Sequence, residues 1–428
     1  MDGSDIRPPA HAGGLTPAST VGVVADASSE QQTPSRVVVL LMAVASGLAV
    51  ASVYYAHPLL DSIADDLAIG RAEIGVVIAL TQVGYGAGLL ALVPLGDLFD
   101  RRRLIIGQSL LSVAALAAVA LAPSGALFLA AIAAVGAIAV VTQTLVAHAS
   151  GLAQAGERGR VVGTVTSGII TGILLARTAS GAVSDVLGWR AVYLVAAAAN
   201  LLVVGLLFMA LPAQTRTNPR VGYLSLVGSL FRLFVEERVL RIRAVLALLI
   251  FSAMTVLWTP MVLPLRAAPY LLGHTEVGLF GLAGVLGALG AMRSGRQADR
   301  GHAQRTTGLA LAVMLGAWFP TALLPHSLWG LIVGVVLLDF GLQSVHVANQ
   351  SLIYRVRPEA QSRLTAGYMV FYSIGCAAGS IASTLVYARY GWLGVCAVGA
   401  SINGVALVFW WLTRHLTPDR PQRPMDAI

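Results

Sequence analysis

Lysine is absent from all 428 residues, and charged side chains of every kind make up only 11% of the chain. A soluble domain carries roughly 25% charged residues, so an aqueous globule is excluded. Cysteine is nearly missing too. Cys376 and Cys396 both fall in late apolar segments, where a thiol behaves as a small hydrophobe, so neither a disulfide framework nor a zinc-cysteine site is expected. No His-x-x-x-His, Walker or Cys-x-x-Cys pattern occurs and the eight histidines are scattered. A metal site, an organic cofactor and an enzymatic cluster are therefore not expected, and no selectivity element of a channel is visible.

What is abundant is hydrophobic: 57% of the residues, with a mean hydropathy of +0.79. A bilayer core of about 30 Å takes about 20 apolar residues per helix. Runs of that length number twelve, over 37–57, 73–95, 104–122, 126–148, 161–183, 190–211, 243–264, 276–293, 306–324, 327–350, 364–387 and 391–412. The fold class is thus an all-α polytopic membrane protein. Residues 1–35 are polar and lack the basic-then-apolar order of a signal peptide, which reads as a disordered cytoplasmic tail.

The 28 basic residues are all arginine, and their placement carries the orientation. With the N-terminus inside, 23 of the 28 lie on the cytoplasmic side, while Arg71, Arg190, Arg266 and Arg389 lie outside and Arg177 lies within a span. That asymmetry predicts cytoplasmic N- and C-termini and accounts for the formal charge of +8 as topology, aided by anionic lipid, with no nucleic-acid partner.

The chain also repeats itself. A shift of 203 residues brings Glu73-Ile74-Gly75 onto Glu276-Val277-Gly278, Gly84 onto Gly287, Arg160 onto Arg363, Gly172 onto Gly375 and Gly188-Trp189 onto Gly391-Trp392. The division that follows is an N-terminal six-helix bundle over 36–211, a cytoplasmic linker over 212–242, a C-terminal bundle over 243–412 and a tail over 413–428. Two charged cassettes belong to the same repeat: Gly96-Asp97-Leu98-Phe99-Asp100-Arg101-Arg102-Arg103 and Gly295-Arg296-Gln297-Ala298-Asp299-Arg300-Gly301-His302-Ala303-Gln304-Arg305.

Six plus six spans, a long central loop and a Gly-x-x-x-Asp-Arg cassette in both the second-to-third and eighth-to-ninth loops resemble the major facilitator superfamily. Tyr54-Tyr55-Ala56-His57-Pro58-Leu59-Leu60 and Glu157-Arg158-Gly159-Arg160 resemble its bacterial drug and metabolite exporters. The resemblance implies two pseudo-symmetric bundles working by alternating access. It also implies that Gly96, Asp100, Arg101, Gly295, Asp299 and Arg300 form a cytoplasmic gate motif that latches the outward-open state. The first cassette departs from the pattern by lacking the intervening glycine. Gly172 is followed by Ile173, where proton antiporters of the superfamily often carry Gly-Pro. Paired glycines in the second and fifth helix of each half, Gly84 and Gly88, Gly168 and Gly172, Gly281, Gly284 and Gly287, and Gly375 and Gly379, mark close helix packing. The resemblance places those four helices at the interface between halves.

Polar groups inside spans point to transport, because an ionisable side chain in hydrocarbon is costly and faces a cavity or a partner. Asp339, Gln343, His346 and Gln350 share one face of span ten. Asp339 is the first candidate for proton coupling and His346 the second. Gln143 is the 203-residue counterpart of His346, and His148 at the inner end of span four reads as facing cytoplasmic water. Arg177 sits about 24 Å up span five and Asp339 about 10 Å deeper, which disfavours a direct ion pair. Arg177 reads either as snorkelling toward Asp185 or as attracting an anionic group. Tyr54 is assigned to the aromatic belt. Tyr55, His57, Gln82, Tyr85 and Trp258 complete the cavity candidates, a lining suited to a small amphipathic organic molecule.

The function expected is secondary active transport, chiefly proton-coupled efflux of small organic compounds across a bacterial inner membrane. The proton gradient would be the energy source and a monomer would suffice. An importer or uniporter of the same fold, and a transport-inactive receptor, remain the alternatives.

Overall fold

The computed structural model describes residues 35–154, 157–211, 222–357 and 360–417, which are helical almost throughout with no strand among them. The expected tails over 1–35 and 413–428 fall mostly outside these residues, as do positions 212–221 of the linker. The first half comprises α1 (Arg36–Ala51), α2 (Leu60–Leu67), α3 (Gly75–Ala91), α4 (Arg101–Ala120), α5 (Gly125–Ile138), α6 (Val141–Leu152), α7 (Arg158–Leu187) and α8 (Trp189–Ala210). After α9 (Tyr223–Glu236) come α10 (Arg238–Trp258), α11 (Val262–Arg266), α12 (His274–Leu279), α13 (Gly284–Asp299), α14 (Ala303–Ala322), α15 (Leu328–Tyr354) and α16 (Gln361–Thr413).

Backbone groups in hydrocarbon have to be satisfied within their own segment, which drives these Ala-, Leu- and Gly-rich runs into helices. Ser35, Asp100 and Ser124 start α1, α4 and α5 by accepting a hydrogen bond from a first-turn amide. Among the described residues, nine stretches are long and apolar enough to cross a bilayer. The expectation of twelve exceeds this at three places. The α1 helix has 16 residues, α14 falls outside the nine, and the last stretch, of 54 residues, joins two expected spans. That junction is Gly391, at φ 63° and ψ −159°, a conformation only glycine adopts readily.

Several spans are broken. A proline, Pro260, separates α10 from α11, and a 3₁₀ turn over Phe280–Ala283 separates α12 from α13. The seventh span begins at Arg238 rather than 243. Arg241 reaches back to the carbonyls of Phe234 and Val235 at the end of α9, so the charged residues close one helix and open the next.

The paired glycines pack, but chiefly within each half. A methyl on Gly84 or Gly88 would overlap the α5 carbonyls of Ala133 and Ala137, and one on Gly168 or Gly172 those of Ala43 and Gly47 in α1. Gly375 and Gly379 likewise press on Leu248 and Ser252 of α10. This corrects the assignment to the interface between halves for those three pairs, whereas Gly281 and Gly284 do meet Leu174 and Arg177 of α7 across it. Further cross-half contacts come from glycines outside the paired set: Gly75 meets Ser380, Gly181 meets the His274 carbonyl, and Gly278 meets the Arg177 carbonyl. Thr178 adds a hydrogen bond to the Gly278 carbonyl at 3.0 Å. These glycine contacts join α3 to α16 and α7 to α12 at the end remote from the arginine-rich loops. Toward the arginine-rich end, Arg158, Gly159 and Arg160 of α7 and Met292, Arg293 and Arg296 of α13 are exposed.

Candidate functional site

Where α7, α10 and α15 converge, a guanidinium and a carboxyl group share one aromatic ring. Arg177 is 6% exposed, and its guanidinium carbon lies 4.0 Å from the centre of the Trp258 ring and 4.9 Å from that of Tyr54. The indole Nε1–H of Trp258 donates to Asp339 Oδ1 at 3.4 Å. The cation thus sits on the π face, where the ring quadrupole is negative, and the carboxylate sits on the N–H edge, where it is positive. No ion pair joins Arg177 to Asp339 among the described residues; Trp258 stands between them. Among the described residues, Arg177 Nε has no acceptor and the Asp339 carboxyl has one long donor. A cation–π contact contributes about 2 kcal/mol when desolvated, while an ion taken from water costs several. The arrangement is therefore left short of partners, which a proton or a ligand group can supply.

The snorkelling reading of Arg177 does not hold geometrically: Asp185 is engaged elsewhere, with His274 and Thr275. Tyr54, assigned to the membrane interface, is buried at this site. Its hydroxyl meets that of Tyr372 at 3.1 Å, bridging the two halves. The Tyr372 ring then packs edge-on against Phe251, centroids 4.2 Å apart, and against Tyr85 at 6.4 Å.

The polar face of α15 continues from Asp339. His346 Nδ1 lies 3.0 Å from the Tyr368 hydroxyl, and its ring meets the edge of Phe251 at 5.3 Å. Asn349 also donates to Tyr368, and its own carbonyl accepts from Arg243 at 3.3 Å. Arg243, counted from the sequence as a cytoplasmic-side arginine at the start of span seven, is fully buried in α10. Gln343 lies against Gly287 of α13, and Gln350 is half-buried. Tyr54 is thereby linked to Arg243 through Tyr372, Phe251, His346, Tyr368 and Asn349. Of these, Tyr372, Phe251, Tyr368, Asn349 and Arg243 were not singled out from the sequence. Tyr368 and Tyr372, four apart on one face of their helix, were the available signal.

The other sequence candidates divide. Gln82 is buried with Oε1 unpartnered, and the Tyr85 hydroxyl approaches the Gln143 amide. His57 stacks on Tyr54, its Nδ1 3.3 Å from the Tyr54 carbonyl and its Nε2 without a partner. Tyr55 turns instead into the first bundle and packs edge-on against Tyr193 of α8. His148 is 0% exposed with both ring nitrogens unpartnered, which corrects the expectation that it faces water.

In the first cassette, Asp100 caps α4 by accepting from the Arg103 amide at 2.8 Å, and Arg101 donates to the carbonyls of Gly96 and Ala147. Capping by Asp100 explains how the loop closes without the glycine. In the second cassette, Gly301 at φ 78° ends α13, its amide bonding to Ala298 and that of His302 to Gln297. Gly295 packs near Val347 and Arg300 is exposed, while the side chain of Asp299 lies outside the described residues.

At the remote end a charged cluster ties the halves together. Asp61 of α2 pairs with Arg266 and lies 3.4 Å from His274 Nε2. Asp185, at the end of α7, accepts from His274 Nδ1 at 2.8 Å and from the backbone amides of His274 and Thr275 at the start of α12. Burial alone would push the Asp61 carboxyl up, but the hydrogen bond from His274 and the Arg266 charge hold it below the ordinary aspartate range.

A family model described as Major Facilitator Superfamily matches residues 39–353 and 272–427. The "Uncharacterized transporter YgaY" of Escherichia coli O157:H7 is 44% identical over 381 residues, covering 89% of this chain and 96% of that protein. The Streptomyces coelicolor protein SCO4007 is 32% identical over 430 residues, 96% of each. Among solved structures, a bacterial homologue of the human lysosomal transporter Spinster, inward-facing and unoccupied, superposes with a TM-score of 0.75 at 15% identity, covering 91% of this chain and 98% of that one. The human organic anion transporter MFSD10 gives 0.63 at 16% identity, covering 87% and 98%. At these identities the structural likeness is one of fold.

Proposed function

The chain belongs to the major facilitator superfamily and is a membrane-spanning transporter, not an enzyme; on that premise we propose that it exports small amphipathic organic compounds across a bacterial inner membrane in exchange for protons. The observation that carries this reading is Asp339, a carboxylate at the junction of the halves, 8% exposed and held by one long hydrogen bond. The arginine asymmetry supports a cytoplasmic location for the arginine-rich end. In that orientation the remote cluster seals the outside, and the pathway opens inward, as it does in the inward-facing Spinster homologue.

Substrate enters from the cytoplasm and lays its apolar body against Tyr54, Phe251, Trp258 and Tyr372. Its arrival displaces the proton from Asp339. The halves then rock about their glycine contacts, the outer seal opens, substrate leaves, and Asp339 is reprotonated from outside. His346 is the second candidate carrier. The Gly172-Ile173 departure favours the competing reading, an importer or uniporter with the same cavity.

The test uses purified protein in liposomes, compounds selected by ligand-dependent thermal shift, an imposed pH gradient and an internal pH dye. Gradient-driven movement of the compound, with protons moving the other way, is expected, and Asp339→Asn reduces both to background. Flux indifferent to collapse of the gradient, or full activity in Asp339→Asn, overturns the coupling. Loss in His346→Gln alone would move the proton to His346.

A further inference from the structure

A cavity of about 550 Å³ lies between α13 and α14, outside the Arg177 site. Both helices seat on α15. Gly290 of α13 leaves a methyl's space only 2.8 Å from the Phe340 carbonyl, and Gly341 of α15 stands equally close, at 2.9 Å, to the Ala310 carbonyl of α14. The groove between them is floored by Phe340 and Ser344.

Its chemistry changes along its length. His302, Arg305, Leu309 and Val313 lie on one face of α14, running from basic to apolar over about 16 Å. Arg293 and Gln297 of α13 face the basic end, and no acidic side chain is among the described lining. Arg293 and Arg305 have no ion pair or hydrogen bond among the described residues, whereas Arg190, Arg266 and Arg357 are all paired with carboxylates. Leu309 is 62% exposed. Two uncompensated guanidiniums at one end of an apolar groove call for an amphiphile with an anionic head.

We propose that this groove binds an anionic phospholipid, its phosphodiester between Arg293 and Arg305 and its acyl chain along Leu309, Val313 and Phe340. The planar guanidiniums donate to the phosphate oxygens, and the chain replaces contacts that α13 and α14 do not make with each other. The site is independent of the coupling assigned to Asp339.

The test is native mass spectrometry of the full chain in a non-ionic detergent, titrated with phosphatidylglycerol, phosphatidylcholine or inorganic phosphate. Phosphatidylglycerol is expected to be retained about twenty-five-fold better than phosphatidylcholine, the product of two arginine contacts at roughly fivefold each. The double variant Arg293→Gln/Arg305→Gln loses that preference. Should the double variant fail to give a monodisperse peak, Arg305→Gln alone is expected to lose about fivefold. Val313→Trp, which fills the apolar end, lowers retention of both lipids. Equal retention of the two lipids, or a preference untouched by the arginine variants, overturns the proposal. So does full competition by inorganic phosphate, which would make the site one for free phosphate.

Discussion

Trp258 takes the Arg177 guanidinium on its ring face and the Asp339 carboxyl on its N–H edge, and that double duty can be dissected at one residue. Trp258→Phe keeps the aromatic face under Arg177 and removes the donor to Asp339; Trp258→Leu removes both. A hydrogen bond to a charged group contributes about 1.5 kcal/mol and a desolvated cation–π contact about 2. Transport of a thermal-shift hit is expected to fall about tenfold in the phenylalanine variant and a further tenfold or more in the leucine variant, measured as initial flux per folded protein. Equal loss in both would show that the ring face contributes nothing. The polar face of α15 was legible in the sequence because four residues recur at helical spacing. Tyr54 was not, because its partner Tyr372 is 318 residues away and a tyrosine near a helix end looks like an interfacial anchor. Arg243 was hidden for the same reason: an arginine at a span boundary reads as a topology signal, while its burial against Asn349 depends on α15.

At the scale of helices, glycine spacing told which faces are smooth but not what they touch. Gly172 and Gly181 lie on the same helix, yet Gly172 packs on α1 within its own half and Gly181 on α12 of the other half. The two positions should therefore fail differently. Gly181→Leu wedges the halves apart at the remote end while each bundle stays intact, so a folded monomer without transport is expected. Gly172→Leu strikes the α1 backbone, and overpacking of that kind costs about 1–3 kcal/mol, seen as a lowered melting temperature. Thermal melting beside flux separates the cases. A lowered melting point in Gly181→Leu equal to that of Gly172→Leu would refute the distinction. The 203-residue repeat shows why the sequence could not supply it: Gly172 and Gly375 keep equivalent within-half partners, and Gly75 and Gly278 keep equivalent cross-half partners on α16 and α7, so the repeat carries both kinds of contact alike.

For the whole molecule, arginine placement made topology readable, while the state in which the halves rest depends on pairings such as Asp61 with Arg266, 205 residues apart. That pair makes the closed remote end testable. Val277 of α12 is 3% exposed, so a cysteine placed there reports opening by reaction with an impermeant maleimide, with the native Cys376 and Cys396 buried. Asp61→Arg or Arg266→Asp alone is expected to raise labelling of Val277→Cys about tenfold, since a partly buried charged hydrogen bond contributes about 1.5–3 kcal/mol. The reciprocal double variant restores much of the protection. The pH response has a definite sign. A carboxylate held below its ordinary value stabilises the closed end fully above about pH 3.9 and loses that contribution as the pH falls through its lower folded value. Titration of Asp61 therefore leaves labelling unchanged from pH 7 to 5 and raises it only under stronger acid, whereas Asp61→Asn is open throughout and flat. Labelling that is indifferent to both single variants would show that the remote end is held by the backbone contacts of Gly181 and Gly278, with the charged pair contributing nothing to closure.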